Sequence, residues 1–160
     1  MREAARRGAN QMTLALPQYP KLPHAGCVSN CGDCCTITGG NEAEYQAVNE
    51  YAAAHNITPI RQGIRCPWYQ GGQCAVYPVR PMVCRLYGHT PKMTCSFGHN
   101  CFITPRRERK IMGEYVDSYG SSPRFLHEVV YSTDEVIHMI ENEIGQPTHT
   151  EMATMIKDWK

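Results

Sequence analysis

The chain has 160 residues, room for one domain and a tail but not for two sizeable units. An apolar fraction of 42% with 19% charged residues is that of a folded globular chain and excludes a disordered or fibrous one. Sixteen Lys and Arg face fifteen Asp and Glu, so no strong field calls for a nucleic acid or an anionic membrane as partner.

Residues 1–26 read as a tail or linker. Its apolar run Leu14-Ala15-Leu16 stops at Pro17, whereas a signal peptide needs about seven to fifteen apolar residues. No later run approaches the roughly twenty that span a membrane. A cytoplasmic location is therefore expected, and in a reducing medium clustered cysteines bind metals more often than they pair. Pro17, Pro20 and Pro23 predict an extended approach to Cys27.

From Cys27 to Cys35 the chain is turn and thiol, and Gly39-Gly40 closes the segment. Asn41 with Glu44 makes a capping box, and Ala47, Val48, Tyr51 and Ala52 recur at helical spacing. This predicts a helix ending near Asn56. Residues 65–77 predict a hairpin around Gly71-Gly72. A two-residue turn pairs Tyr69 with Cys74 and sends Cys66 to the opposite face; a three-residue loop brings both sulfurs to one face. Both registers stay open.

Pro81 suits the start of a short helix and Gly88 its C-terminal cap. Cys95 and Cys101 lie in the loop 89–105. The last third is helical, with starts expected at Ser122-Pro123, Ser132 to Glu135 and Thr148 to Glu151. Val136, Ile137, Ile140 and Ile144 form an apolar stripe ended by Gly145 and Pro147.

Nine cysteines are the outlier, and seven of them fall between Cys27 and Cys84. An odd count cannot pair completely within one chain. Cys31-Gly32-Asp33-Cys34 is the Cys-x2-Cys step whose tight turn aims two sulfurs at a tetrahedral or cubane centre. Gly32 supplies the left-handed or close-approach backbone such a turn uses. Cys34 and Cys35 are adjacent, and in extended backbone their side chains diverge, so they are expected to serve two ions, or one a metal while the other packs. Ordinary burial accounts for one or two of the nine, Cys95 first. Cys84 falls in the first turn of its short helix, where the dipole favours a thiolate. Arg80 and Arg85 flank it as cofactor-binding candidates that offset thiolate charge. His89 and His99 rank below the cysteines as ligands.

The run Cys31-Gly32-Asp33-Cys34-Cys35 resembles the CxxCxxCC hallmark of the YkgJ-like cysteine-cluster family, described as a zinc- or iron-chelating domain. The second block is similar too: Cys66-Pro67, Cys74-Ala75-Val76-Tyr77, then Arg80-Pro81-Met82-Val83-Cys84-Arg85. A further distal cysteine is expected there, which Cys95 or Cys101 supplies. The likeness covers roughly residues 27–101, with three residues between Cys27 and Cys31 where the hallmark has two. It implies metal ligands among Cys27, Cys31, Cys34, Cys35, Cys66, Cys74, Cys84 and Cys101. Relatives of the family, the flagellin lysine methylases, point to iron–sulfur and S-adenosylmethionine chemistry.

Cys27-x3-Cys31-x2-Cys34 is also the spacing of radical S-adenosylmethionine enzymes. Their barrel needs at least about 200 residues, so the barrel is excluded while the chemistry stays open. Arg106, Arg107, Arg109 and Lys110 would support a nucleic-acid-binding zinc module, but Glu108 and Glu114 dilute them and a solvated helix face explains them equally. No phosphate loop, HExxH or GxSxG motif is present. The expectation is a small α+β fold, mostly α and irregular, centred on a metal and carrying one short hairpin. Residues 27–101 form the cysteine-cluster domain, and 102–160 a helical extension packed on it. The centre is an iron–sulfur cluster or zinc, serving redox chemistry or protein modification. The alternative is a structural zinc module that binds a protein or nucleic acid without catalysis.

Overall fold

The Asn41–Glu44 capping box forms as its residues dictate: Glu44 N–H donates to Asn41 Oδ1 at 2.9 Å and Asn41 N–H to Glu44 Oε2 at 3.1 Å. Helix α1, Glu42–Ala54, succeeds it and buries Ala47, Val48 and Ala52. The structure is a computed structural model that describes residues 21–23, 31–118 and 124–143. Most of the tail, Cys27, the Ser122-Pro123 and Thr148-to-Glu151 patterns, and Ile144, Gly145 and Pro147 lie outside those residues.

The described residues form a small α+β fold, mostly helical and irregular. After α1 come the paired strands β2, Tyr69–Gln70, and β3, Gln73–Cys74. The 3₁₀ turn Tyr77–Val79 leads to the short helix α2, Met82–Leu86. Gly88, one residue past the α2 cap, has φ +79°, which fits its expected role. Helix α3, Pro105–Ser118, starts at Thr104, whose hydroxyl accepts from Arg107 N–H at 3.3 Å. Helix α4, Thr133–Glu143, opens on the Ser132–Glu135 capping box.

The described residues that follow Ser122-Pro123 do not form the α-helix expected there. After Ser122-Pro123 the chain forms strand β4, Arg124–Phe125, antiparallel to β1, Gly39–Gly40, and then a 3₁₀ turn at Leu126–Val129. The start signal lost to a long-range pairing. Arg124 secures it, donating to Glu128 Oε2 at 2.6 Å and Glu42 Oε2 at 2.8 Å while lying 4.1 Å over the Tyr45 ring.

Apolar burial is divided among three clusters. Val48, Ala52, Trp68, Val76, Val79 and Leu126 form the first, with Cys66 inside it and Cys35 and Cys74 against it. Met82, Leu86, Ile103, Ile111 and Met112 form the second. Phe125, Val136 and Ile140 form the third; of the expected α4 stripe, Val136 and Ile140 are buried and Ile137 is half-buried. Glu44 joins the first two. Its carboxylate is fully buried and accepts from Met82 N–H at 2.7 Å as well as from Asn41, so one side chain caps both α1 and α2.

Candidate metal centre

Gly32 shapes the first cysteine turn. Its φ is +69°, and a Cβ there would lie 2.3 Å from Cζ of Tyr69. The ring of Tyr69 therefore packs where only glycine fits. Cys35 N–H donates back to Gly32 O at 3.1 Å, closing the turn through Asp33 and Cys34. Arg65 holds both partners, donating to Gly32 O at 3.3 Å and lying 5.0 Å over the Tyr69 ring. Cys66 N–H then donates to Cys35 O at 2.9 Å, which stitches the second cysteine segment to the first.

The backbone at Cys34 and Cys35 is this turn, not extended chain, and the expected divergence of their side chains does not occur. The two thiols hydrogen-bond each other. The hairpin takes the two-residue register: Tyr69 pairs with Cys74, and Gly71 and Gly72 have φ +56° and +80°. Cys66 still reaches the same cavity as Cys74 because it stands before the ladder. A turn through Pro67 and Trp68 closes with Tyr69 N–H on Cys66 O at 2.9 Å and redirects the chain.

These segments and α2 surround a cavity of about 500 Å³. Among the described residues seven thiols line it: Cys31, Cys34, Cys35, Cys66, Cys74, Cys84 and Cys95. Cys101 does not. Cys95, the first candidate for plain burial, does. Arg80 and Arg85 are also in the lining, each anchored to backbone. Arg80 lies 3.6 Å over the Tyr77 ring and donates to Tyr77 O at 3.2 Å. Arg85 donates to Arg80 O at 2.9 Å and Pro78 O at 2.8 Å. Across the mouth, Ser96 donates to Asp33, joining the Cys95 loop to the Cys31–Cys35 turn.

The thiols differ in how readily they ionise. The hydrogen bond from Cys35 brings Cys34 down to about 7, helped by the Arg80 charge, and the same bond pushes Cys35 well up. Burial pushes Cys66 up to about 12. Burial also pushes Cys84 up, so desolvation outweighs the expected help of the α2 dipole to its thiolate. Metal-free, Cys35, Cys66 and Cys84 are thus neutral thiols, and a cation gathering them displaces their protons.

Among the described residues no three Cys, His, Asp or Glu side chains form a ready-made set for a single ion. The donors line the walls of a roomy cavity, and their chemistry, soft sulfur with imidazole, fits zinc, iron or an iron–sulfur core. Sequence reasoning missed the phenols of Tyr77 and Tyr87 in the lining and underrated His89 and His99, which also line it. Their signal was proximity: Tyr87 and His89 bracket the Gly88 cap that ends the Cys84 helix.

Residues 26–109 match the family model described as "CxxCxxCC: Putative zinc- or iron-chelating domain". No curated protein and no solved structure matches the chain. Among the described residues no helix is long and apolar enough to cross a membrane.

Proposed function

The chain belongs to the CxxCxxCC family of zinc- or iron-chelating domains, and from that premise we propose that its thiol-lined cavity holds an iron–sulfur cluster, with zinc taking the same thiols once sulfide is lost. One observation carries this reading: among the described residues seven thiols line a cavity of about 500 Å³, more sulfur and more room than one tetrahedral ion uses. A tetrahedral zinc site with bonds near 2.3 Å needs its sulfurs within about 4 Å of one another. A cluster carries its own sulfide and accepts ligands from walls set further apart. The chain's part is to hold the ligands and balance their charge. Its thiolates are drawn from Cys31, Cys34, Cys66, Cys74 and Cys84, Arg80 adds positive charge beside Cys34, and Arg85 is also in the lining.

Such a centre serves electron transfer if four thiolates close it, and protein modification with S-adenosylmethionine if one iron stays open. The structural zinc module is the second reading. Its support is the exposure of Phe97 and Phe102 and of Arg106, Arg107 and Arg109, side chains suited to a partner.

The test is anaerobic purification followed by iron, zinc and acid-labile sulfide assays and a visible spectrum. Brown protein with sulfide close to its iron content, bleached by dithionite, is expected. Colourless, sulfide-free protein saturated with zinc would overturn the cluster and favour the second reading.

A further inference from the structure

His89 is the donor on the cavity wall whose geometry is most completely decided before any metal arrives. It is only 5% exposed. Its Nδ1 lies 2.9 Å from the carbonyl oxygen of Cys101. A carbonyl oxygen can only accept, so Nδ1 carries the proton and the lone pair resides on Nε2. That nitrogen has no hydrogen-bond partner among the described residues. It differs from Nδ1 of His127, which is also unpartnered but sealed in the interior. His89 lines the thiol cavity, and Nε2 is the nitrogen it has to offer there.

The backbone explains why the ring is fixed. His89 N–H donates to Leu86 O at 2.9 Å, straight after the helix that carries Cys84. Two bonds clamp the Cys101 strand of the loop alongside: Cys101 N–H donates to Gly88 O at 2.7 Å, and Ile103 N–H to His89 O at 2.9 Å. The Cys101 carbonyl is thereby aimed at Nδ1 while its thiol stays outside the cavity lining. An imidazole bonded through one nitrogen to a backbone carbonyl, with the other nitrogen free, is the arrangement that orients histidine ligands at metal sites.

We infer that His89 is a nitrogen ligand of the centre, binding through Nε2, while Cys101 serves as its positioning residue through the main-chain carbonyl. The inference rests on the cavity being the metal site. The thiols must still close on a centre, whereas the His89 ring is held by the Cys101 carbonyl beforehand. A neutral imidazole in place of a thiolate removes one negative charge from the ligand set. At an iron–sulfur cluster that substitution raises the reduction potential.

The test uses the full chain purified anaerobically and the K-edge X-ray absorption of whichever metal, iron or zinc, it retains. Wild type should show imidazole scattering beside the sulfur shell, and His99→Ala should keep it. His89→Ala and His89→Asn should lose it and release the metal to a chelator roughly tenfold or more readily. The asparagine amide stays able to donate to the Cys101 carbonyl, so His89→Asn separates ligation from local folding, which circular dichroism checks. An all-sulfur wild-type spectrum, imidazole scattering that persists in His89→Asn, or its disappearance in His99→Ala would overturn the inference. If wild type retains no metal, the proposed function falls as well; an all-sulfur spectrum overturns this inference alone.

Discussion

At Cys34 two neighbours act in the same direction: the Cys35 thiol donates a hydrogen bond to its sulfur, and Arg80 adds positive charge. At Cys66 and Cys84 the loss of water outweighs the hydrogen bonds that favour the thiolate, from the Trp68 and Tyr69 backbone and from Thr38 respectively, and both stay protonated well above neutrality. Reactivity follows the thiolate, so the cavity thiols should label in a set order once metal is removed. In metal-free protein near pH 7.5, iodoacetamide should modify Cys34 well before Cys66 or Cys84. The Cys34 rate should rise through about pH 7 and level off, while Cys66 should begin to respond only as pH approaches about 12. Peptide mapping by mass spectrometry reads the order. Equal labelling of Cys34 and Cys66 near neutral pH would contradict it. This order was not legible in the sequence. Adjacency alone suggested that Cys34 and Cys35 point apart, and only the turn closed at Gly32 makes them neighbours through their sulfurs.

The elements that position the site depend on a few polar contacts more than on long apolar faces. Glu44 is the extreme case, a fully buried carboxylate accepting from the N-cap amide of α1 and the first amide of α2. Glu44→Ala removes the carboxylate that accepts from the Asn41 and Met82 N–H groups. It should cost about 2–6 kcal/mol, at about 1–3 for each donor that loses its acceptor. Urea unfolding of the metal-free and metal-loaded chain checks this, and a loss below about 0.5 kcal/mol would contradict it. Half of that role was readable in advance, because Asn41 and Glu44 stand at capping-box spacing; the bond to Met82, 38 residues on, was not. The same division runs through the other elements. Gly71-Gly72 signalled the hairpin, and its positive φ values selected the tighter register. The pairing of β4 with β1 had no local signature, and two-residue strands carry no period to detect.

Across the whole molecule the apolar core is divided, and the cavity occupies the division. Cys35, Cys66, Cys74, Val76 and Leu126 reach it from the first cluster and Leu22 from the second. That placement explains why thiols far apart in sequence converge without disulfides: the clusters fold the walls, and the walls carry the sulfurs. Much of this was legible, since cysteine spacing and the Arg80-to-Arg85 block marked the segments that form the lining. What spacing could not reveal is which thiol each turn leaves outside, because that depends on the hydrogen bonds joining one loop to another. Cys101 is the clearest instance. As a distal cysteine it is expected among the ligands, yet its loop offers the cavity no thiol at that position. The central claim, that the cavity thiols together hold one metal centre, is tested most directly by metal stoichiometry in single serine variants purified anaerobically. Cys31→Ser and Cys84→Ser should lose most of their metal, and Cys101→Ser should keep it at the wild-type level; full retention in the first two would contradict the claim.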